Sequence, residues 1–180
     1  MACSASNSKS HNLSMAQNIC NSETYRLSER GTIMIEAFPE NLPPTIEVEG
    51  YTLHRKIEFH ISLVATSEIA RKNAVADPDF REKVVADFCA YASEHPVEFV
   101  RYDGEFRFMS EGDVRTAVVM VEVSNLADFF ALLNKKYHLD LEYPPTHITL
   151  YTLQPNVGIF MTTSEDKEKL TKVIPPPVEL

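Results

Sequence analysis

The chain has 180 residues, a hydrophobic content of 44% and a formal net charge of −9. This length fits one domain, or one domain built from two lobes, and the hydrophobic content allows a sizeable core. The acidic charge argues against a protein that binds a long nucleic-acid backbone, and no apolar run approaches the roughly 18 residues of a membrane span.

Residues 1–31 are rich in Ser and Asn, and we expect them to form a flexible or peripheral polar head. This segment contains Cys3 and Cys20, whereas Cys89 falls at an apolar position of a predicted helix. Three cysteines whose spacing fits no metal pattern predict reduced thiols in a cytoplasmic protein.

The remainder of the chain alternates between predicted strands and helices. Asp77-Pro78 provides a helix start, and Asp103-Gly104 between two alternating runs predicts a hairpin. His95 and His138 fall just past predicted helix ends, where an imidazole complements the helix dipole. The predicted elements are strands over 32–38 and 56–65, a helix over 77–95, a hairpin over 97–109, a strand over 114–123, a helix after Ser124, strands over 146–152 and 157–162, and a short helix over 164–171.

This order of elements predicts an α+β fold with two similar halves. One long helix accompanies each of two strands that carry a histidine, so we expect two pseudo-symmetric antiparallel sheets with helices on their outer faces. The two lobes would enclose a central cleft. We place this bilobal domain at residues 32–172 and a Pro-rich tail at residues 173–180.

Two of the predicted strands carry a histidine followed two residues later by a hydroxyl. They read EFHISLVA, with His60 and Ser62, and THITLYT, with His147 and Thr149. Alternate residues of a strand point to opposite faces, so each histidine shares a face with its hydroxyl while the apolar face packs on a helix. If the two polar faces meet across a cleft, two imidazoles and two hydroxyls line one groove.

Such a groove suits the cleavage of a phosphodiester. Histidine has an unperturbed pKa of about 6.5, so His60 and His147 can act as base and acid on opposite sides of a phosphate. The hydroxyls of Ser62 and Thr149 can donate hydrogen bonds to the non-bridging oxygens. No metal or other cofactor is required by this chemistry.

The two His-x-Ser/Thr tripeptides, each inside an apolar strand, resemble the signature of the 2H phosphoesterases, which include 2′-5′ RNA ligase-like proteins and cyclic nucleotide phosphodiesterases. The resemblance implies metal-independent hydrolysis with His60 and His147 as the catalytic pair and with Ser62 and Thr149 binding phosphate. The sequence has no clear counterpart of the basic residues that members acting on RNA use. The expected substrate is therefore a small cyclic or 2′-5′ linked nucleotide or a short oligonucleotide, rather than a long duplex.

Two further residues are candidates for contact with the substrate. Tyr151 follows on the polar face of the second motif strand, and Arg115 is a basic residue near the core of another strand. Three alternatives to the enzyme stay open. The same cleft can bind a nucleotide or phosphometabolite without catalysis, the two motifs can be coincidental in a structural protein, or the two histidines can hold a metal.

Overall fold

The computed structural model describes residues 16–155, 158–159 and 161–180, and it confirms an α+β protein. Within these residues ten strands join one antiparallel sheet, and four helices accompany it. The strands are β1 Gln17–Asn18, β2 Tyr25–Leu27, β3 Thr32–Glu36, β4 Thr45–Val48, β5 Tyr51–Arg55, β6 His60–Ala65, β7 Phe99–Glu111, β8 Val114–Val123, β9 His147–Thr152 and β10 Thr171–Ile174. The helices are α1 Thr66–Lys72, α2 Phe80–Glu94, α3 Leu126–Tyr137 and α4 Ser164–Leu170.

The order of the strands differs from the two facing sheets expected from the sequence. It runs β1-β2-β3-β6-β9-β8-β7-β10, with the β4–β5 hairpin attached through β5 to β9. The two motif strands, β6 and β9, are hydrogen-bonded neighbours at the centre of this single sheet. Their polar faces therefore lie side by side on one surface, because neighbouring strands of a sheet share their faces.

A row of apolar side chains crosses the sheet from β2 to β7 and forms the centre of the core. The register aligns Tyr25, Ile35, Ile61, Ile148, Val119 and Phe106, which are all buried. The apolar stripes of α2 and α3, which include Phe88 and Phe129, belong to the same cluster. Both long helices thus cover one face of the sheet, and none of the helices in the described ranges is long and apolar enough to cross a membrane.

The hairpin predicted at Asp103-Gly104 is an irregularity inside one long strand. β7 continues through these residues, and its register with β8 shifts between Tyr102 and Phe106. The β7–β8 turn instead falls at Gly112-Asp113. Gly104 and Gly112 both have a positive φ, a conformation that occurs in bulges as well as in tight turns. The Asp-Gly dipeptide alone therefore did not distinguish a bulge from a turn.

The sheet includes strands near both ends of the described ranges. β1 and β2 belong to the segment predicted as a peripheral head, and Tyr25 and Leu27 are buried. Near the other end, residues 158–159 and 161–162 form no strand, and the rest of the strand predicted over 157–162 lies outside the described residues. β10 pairs with β7 instead.

The expectation of reduced thiols is wrong for two of the three cysteines. Cys20, in the turn after β1, forms a disulfide with Cys89 of α2. Cys3 lies outside the described residues. The sequence concealed this pairing because Cys20 was placed in a head that was not expected to pack on a helix.

Candidate active site

The pairing of β6 with β9 places the four motif residues on one face of the sheet. Ile61 pairs with Ile148, so the antiparallel register brings His60 opposite Thr149 and Ser62 opposite His147. The two histidines are then diagonal neighbours, whose backbones in an antiparallel pair are roughly 7–8 Å apart. Each imidazole lies beside the hydroxyl of the other motif.

His147 is buried, and one of its ring nitrogens has a partner. Its Nδ1–H donates to the carbonyl oxygen of Pro145 over 3.0 Å, which leaves Nε2 of the neutral ring as a proton acceptor. Burial lowers the pKa of His147, the hydrogen bond to Pro145 opposes that change, and the charge of Lys56 lowers the pKa further. At neutral pH this imidazole is uncharged and prepared to accept a proton.

His60 is half-buried at the start of β6. Burial, followed by the charges of Lys56, His147 and Arg26, lowers its pKa from 6.5 to about 4. Two of these causes, Lys56 and Arg26, are groups that are positively charged at neutral pH. The surroundings of His60 are thus electropositive, although the chain as a whole has a net charge of −9.

Arg26 and Glu36 form an ion pair on the same side of the sheet. Glu36 lies opposite His60 in the β3–β6 pair, and its Oε1 accepts a hydrogen bond from Arg26 Nη1. Arg26 Nη2 also donates to the carbonyl oxygen of Ala16 over 3.4 Å. Arg26 Nε is buried and has no partner among the described residues. Arg26 is consequently fixed beside His60 with one donor left over.

Lys56 is the charged residue that the sequence analysis missed. It follows β5 directly, is half-buried, and its backbone N–H donates to the carbonyl oxygen of Leu150 over 3.0 Å. Its charge lowers the pKa of both His60 and His147. The strand predicted over 56–65 begins only at His60, and residues 56–59 form a bent link, so strand alternation gave no signal for Lys56.

The two motif hydroxyls have no protein partner in the part of the chain that the structure describes. Ser62 and Thr149 are both half-buried, and neither side chain takes part in a hydrogen bond among those residues. Their positions opposite His147 and His60 place a hydroxyl donor beside each imidazole. Both hydroxyls are thus available to a ligand on this face.

A cavity of about 210 Å³ opens beside His147, where β6 runs into α1 and where β9 begins. Ser62 and His147 line one part of it, whereas His60 and Thr149 do not. Its apolar walls are formed by Leu63, Ile69, Phe130, Leu141, Pro144, Pro145 and Met161. Its polar lining includes Glu68, Lys72, Asn73, Asp140, Glu142, Thr162 and Thr163.

The two weaker candidates do not join the histidines. Tyr151 is fully buried in the core, and its hydroxyl donates to the carbonyl oxygen of Pro43 over 3.1 Å. A register shift against β8 lies between Thr149 and Tyr151, which breaks the alternation on which the prediction depended. Arg115 Nη1 donates to the carbonyl oxygens of Gly112 and Val114, so its guanidinium is held at the β7–β8 turn.

The remaining predicted roles concern helix ends and metals. His95 and His138 are the C-cap residues of α2 and α3, as predicted. Over the described ranges, no group of three or more His, Cys, Asp or Glu side chains is arranged to hold a metal ion. Comparison with protein-family models, with curated proteins and with solved structures finds no match to this chain.

Proposed function

We propose that this chain is a metal-independent phosphodiesterase of the 2H type, which hydrolyses a cyclic or 2′-5′ linked nucleotide by two-histidine acid/base catalysis. One observation carries the proposal: His60 and His147 lie diagonally on one face of the sheet, with a hydroxyl opposite each. A phosphate above this square of side chains has an imidazole on either side, as base and acid catalysis requires.

The register of the sheet supports the bilobal, pseudo-symmetric arrangement of such an enzyme. A twofold axis through the Ile61–Ile148 pair, perpendicular to the sheet, relates His60 to His147 and Ser62 to Thr149. The same axis relates β3 to β8 and β2 to β7, and it brings Arg26 onto Arg107. We infer that the two halves of the sheet are the two lobes and that the phosphate binds where they meet.

The hydrogen bond of His147 assigns this imidazole as the base in our mechanism, which leaves His60 as the acid. Nε2 of His147 takes a proton from a water molecule, because Nδ1 already donates to Pro145. The water oxygen forms a bond to phosphorus, and the bond from phosphorus to the leaving oxygen breaks. His60 gives its proton to that oxygen, while Ser62 and Thr149 stabilise the charge on the non-bridging oxygens.

A bound phosphate also changes the protonation of the pair. In the free protein, burial and the neighbouring cations lower the pKa of His60 to about 4, so this acid is mostly unprotonated at neutral pH. A phosphate anion next to the rings favours their charged forms and raises the pKa of both. Substrate binding therefore prepares His60 to act as the acid.

The cavity beside His147 indicates the orientation in which the substrate binds. With the phosphate between the histidines, the nucleoside on the His147 side enters a cavity with apolar walls and a polar rim. Such a lining matches a nucleobase, which has apolar faces and hydrogen-bonding edges.

The proposal is tested by assaying hydrolysis of 2′,3′-cyclic nucleotides, 2′-5′ oligoadenylate and cyclic dinucleotides with EDTA present. His60→Ala and His147→Ala should each lower the rate by about 10²–10⁴-fold. His54→Ala is the matched control, since His54 is exposed in β5 and pairs with β4 and β9 outside the motif. Absence of turnover on all three substrate classes, or full activity in both alanine variants, would refute the enzyme.

A second function, ligand binding without catalysis, is favoured by one observation. Both imidazoles have a lowered pKa in the free protein, so at neutral pH neither carries the proton that an acid needs. If bound phosphate fails to restore that proton, the same face retains nucleotide without cleaving it. Calorimetry with the three substrate classes would then record binding while chromatography finds no product.

A further inference from the structure

Lys56 lies close in the chain to one motif strand, β6, and is hydrogen-bonded to the other, β9. β5 ends at Arg55, which pairs with Tyr151 of β9, and β6 begins at His60 and also pairs with β9. Lys56 lies in the short link between these two strands, and the hydrogen bond from its backbone to Leu150 fixes it beside β9. Its main chain is therefore anchored at Leu150, one residue after Thr149, and lies four residues before His60.

The ammonium of Lys56 has no hydrogen-bond or ion-pair partner among the described residues. Six other lysines of the described ranges form ion pairs: Lys72, Lys83, Lys136, Lys167, Lys169 and Lys172. Lys56 forms neither an ion pair nor a side-chain hydrogen bond within those ranges, and Glu58 acts on it only through its charge. A half-buried ammonium without a counter-ion is unfavourable, so this position favours the binding of an anion.

The neighbours of Lys56 add positive charge and leave hydrogen-bond donors unused. The charge of Lys56 lowers the pKa of both imidazoles, and the charge of Arg26, on β2, lowers that of His60. Arg26 Nε has no partner among the described residues, although Nη1 is paired with Glu36. An oxyanion at this place would have the ammonium of Lys56 and the motif hydroxyls as donors, and its charge would favour the protonated forms of the two imidazoles.

We propose that Lys56, together with His60 and His147, forms an oxyanion-binding site that takes a phosphate group. This inference rests on the proposed function for the class of ligand, but it requires no turnover. Lys56 supplies the full positive charge that the neutral imidazoles lack at neutral pH. Lys56 thus provides a basic residue that the two sequence motifs do not contain. Its charge restricts the ligand to anions such as phosphate monoesters, phosphodiesters and free phosphate.

The test uses inorganic phosphate and the full chain at pH 7. Calorimetry should record phosphate binding to the wild type, a loss of affinity of about tenfold or more in Lys56→Met, and substantial recovery in Lys56→Arg. Lys135→Met is the matched control, since Lys135 is an exposed lysine of α3. Histidine NMR gives a second readout: without phosphate, the pKa of His60 should rise in Lys56→Met, because a like charge has been removed while Arg26 and Glu36 stay in place.

A second measurement uses only the wild type and so does not depend on whether a variant folds. Phosphate should slow acetylation of Lys56 by acetic anhydride and leave that of Lys135 unchanged, as read by mass spectrometry. Unaltered phosphate affinity in Lys56→Met, or no protection of Lys56, overturns the site, as does a wild type that binds no phosphate. If phosphate binds through Lys56 but the chain hydrolyses none of the three substrate classes, the proposed phosphodiesterase activity is refuted and the phosphate-binding site is retained.

Discussion

Ile61 pairs with Ile148 at the centre of the sheet, and this contact between two buried apolar residues determines where the polar chemistry lies. Because both isoleucines face the helices, the residues on either side of each must face away from them. A shift of one residue in the register would place the histidines of one strand in the core. The candidate site is thus fixed by core packing on the opposite face.

The pH optimum of catalysis is the first prediction from this arrangement. Both histidines have a pKa below 6.5 in the free protein, with that of His60 at about 4. A rate that needs one protonated and one unprotonated group is greatest midway between the two values. We therefore expect kcat/KM to peak below pH 6.5, whereas kcat, which reports the complex, should peak at higher pH. Steady-state profiles on a 2′,3′-cyclic nucleotide check this, and a kcat/KM optimum above pH 7 contradicts it.

Stability in acid is the second prediction. The pKa of His60 is about 4 in the folded protein and near 6.5 in the unfolded chain. Its contribution to the free energy of unfolding is therefore complete above pH 6.5 and is lost as the pH falls through 4. The loss amounts to about 3 kcal/mol by pH 4. His60→Gln should be less destabilised than the wild type between pH 7 and pH 4 in urea titrations. His54→Gln, at an exposed position, should match the wild type; equal pH dependence in all three proteins would show that His60 is not buried in its neutral form.

Removal of the motif hydroxyls is the third prediction. Ser62→Ala and Thr149→Val should each lower kcat by about 10²–10³-fold if the hydroxyls stabilise charge on the phosphate, while the melting temperature changes little. Thr116→Val in β8 is the matched control. The Thr116 hydroxyl is buried without a partner among the described residues, so its removal should not reduce stability or activity. Normal kcat in both motif variants would remove these hydroxyls from the mechanism.

The sequence predicted the parts of this fold that depend on local periodicity. β8, β9, α2 and α3 appear close to their predicted ranges because their apolar spacing reflects the face that each buries. The union of the strands in one sheet depends on long-range pairing, which periodicity does not encode. Lys56 and the Cys20–Cys89 disulfide were missed for the same reason, since β9 and α2 determine what lies beside them.

The disulfide gives the fourth prediction. It ties the turn after β1 to α2 across 69 residues of chain, so its loss should lower the free energy of unfolding by about 2–4 kcal/mol. Cys89→Ala should melt at a lower temperature than the wild type and should no longer respond to a reducing agent. Cys3→Ala keeps the Cys20–Cys89 pair and should still respond. An unchanged melting temperature in Cys89→Ala, or in the reduced wild type, would contradict this contribution to stability.

The cavity beside His147 gives the last prediction. Ala65 lines it and is half-buried, so Ala65→Leu should partly fill the space that we assign to a nucleobase. We expect kcat/KM for a 2′,3′-cyclic nucleotide to fall about tenfold or more, since a misplaced substrate loses its alignment with the reacting groups. Hydrolysis of base-free ribose 2′,3′-cyclic phosphate should be unchanged, because that substrate needs only the phosphate site. Ala90→Leu, at an exposed position of α2, controls for the added side chain. An equal loss on both substrates in Ala65→Leu would mean that the substitution disturbs the histidine pair itself, and no loss on either would place the base outside this cavity.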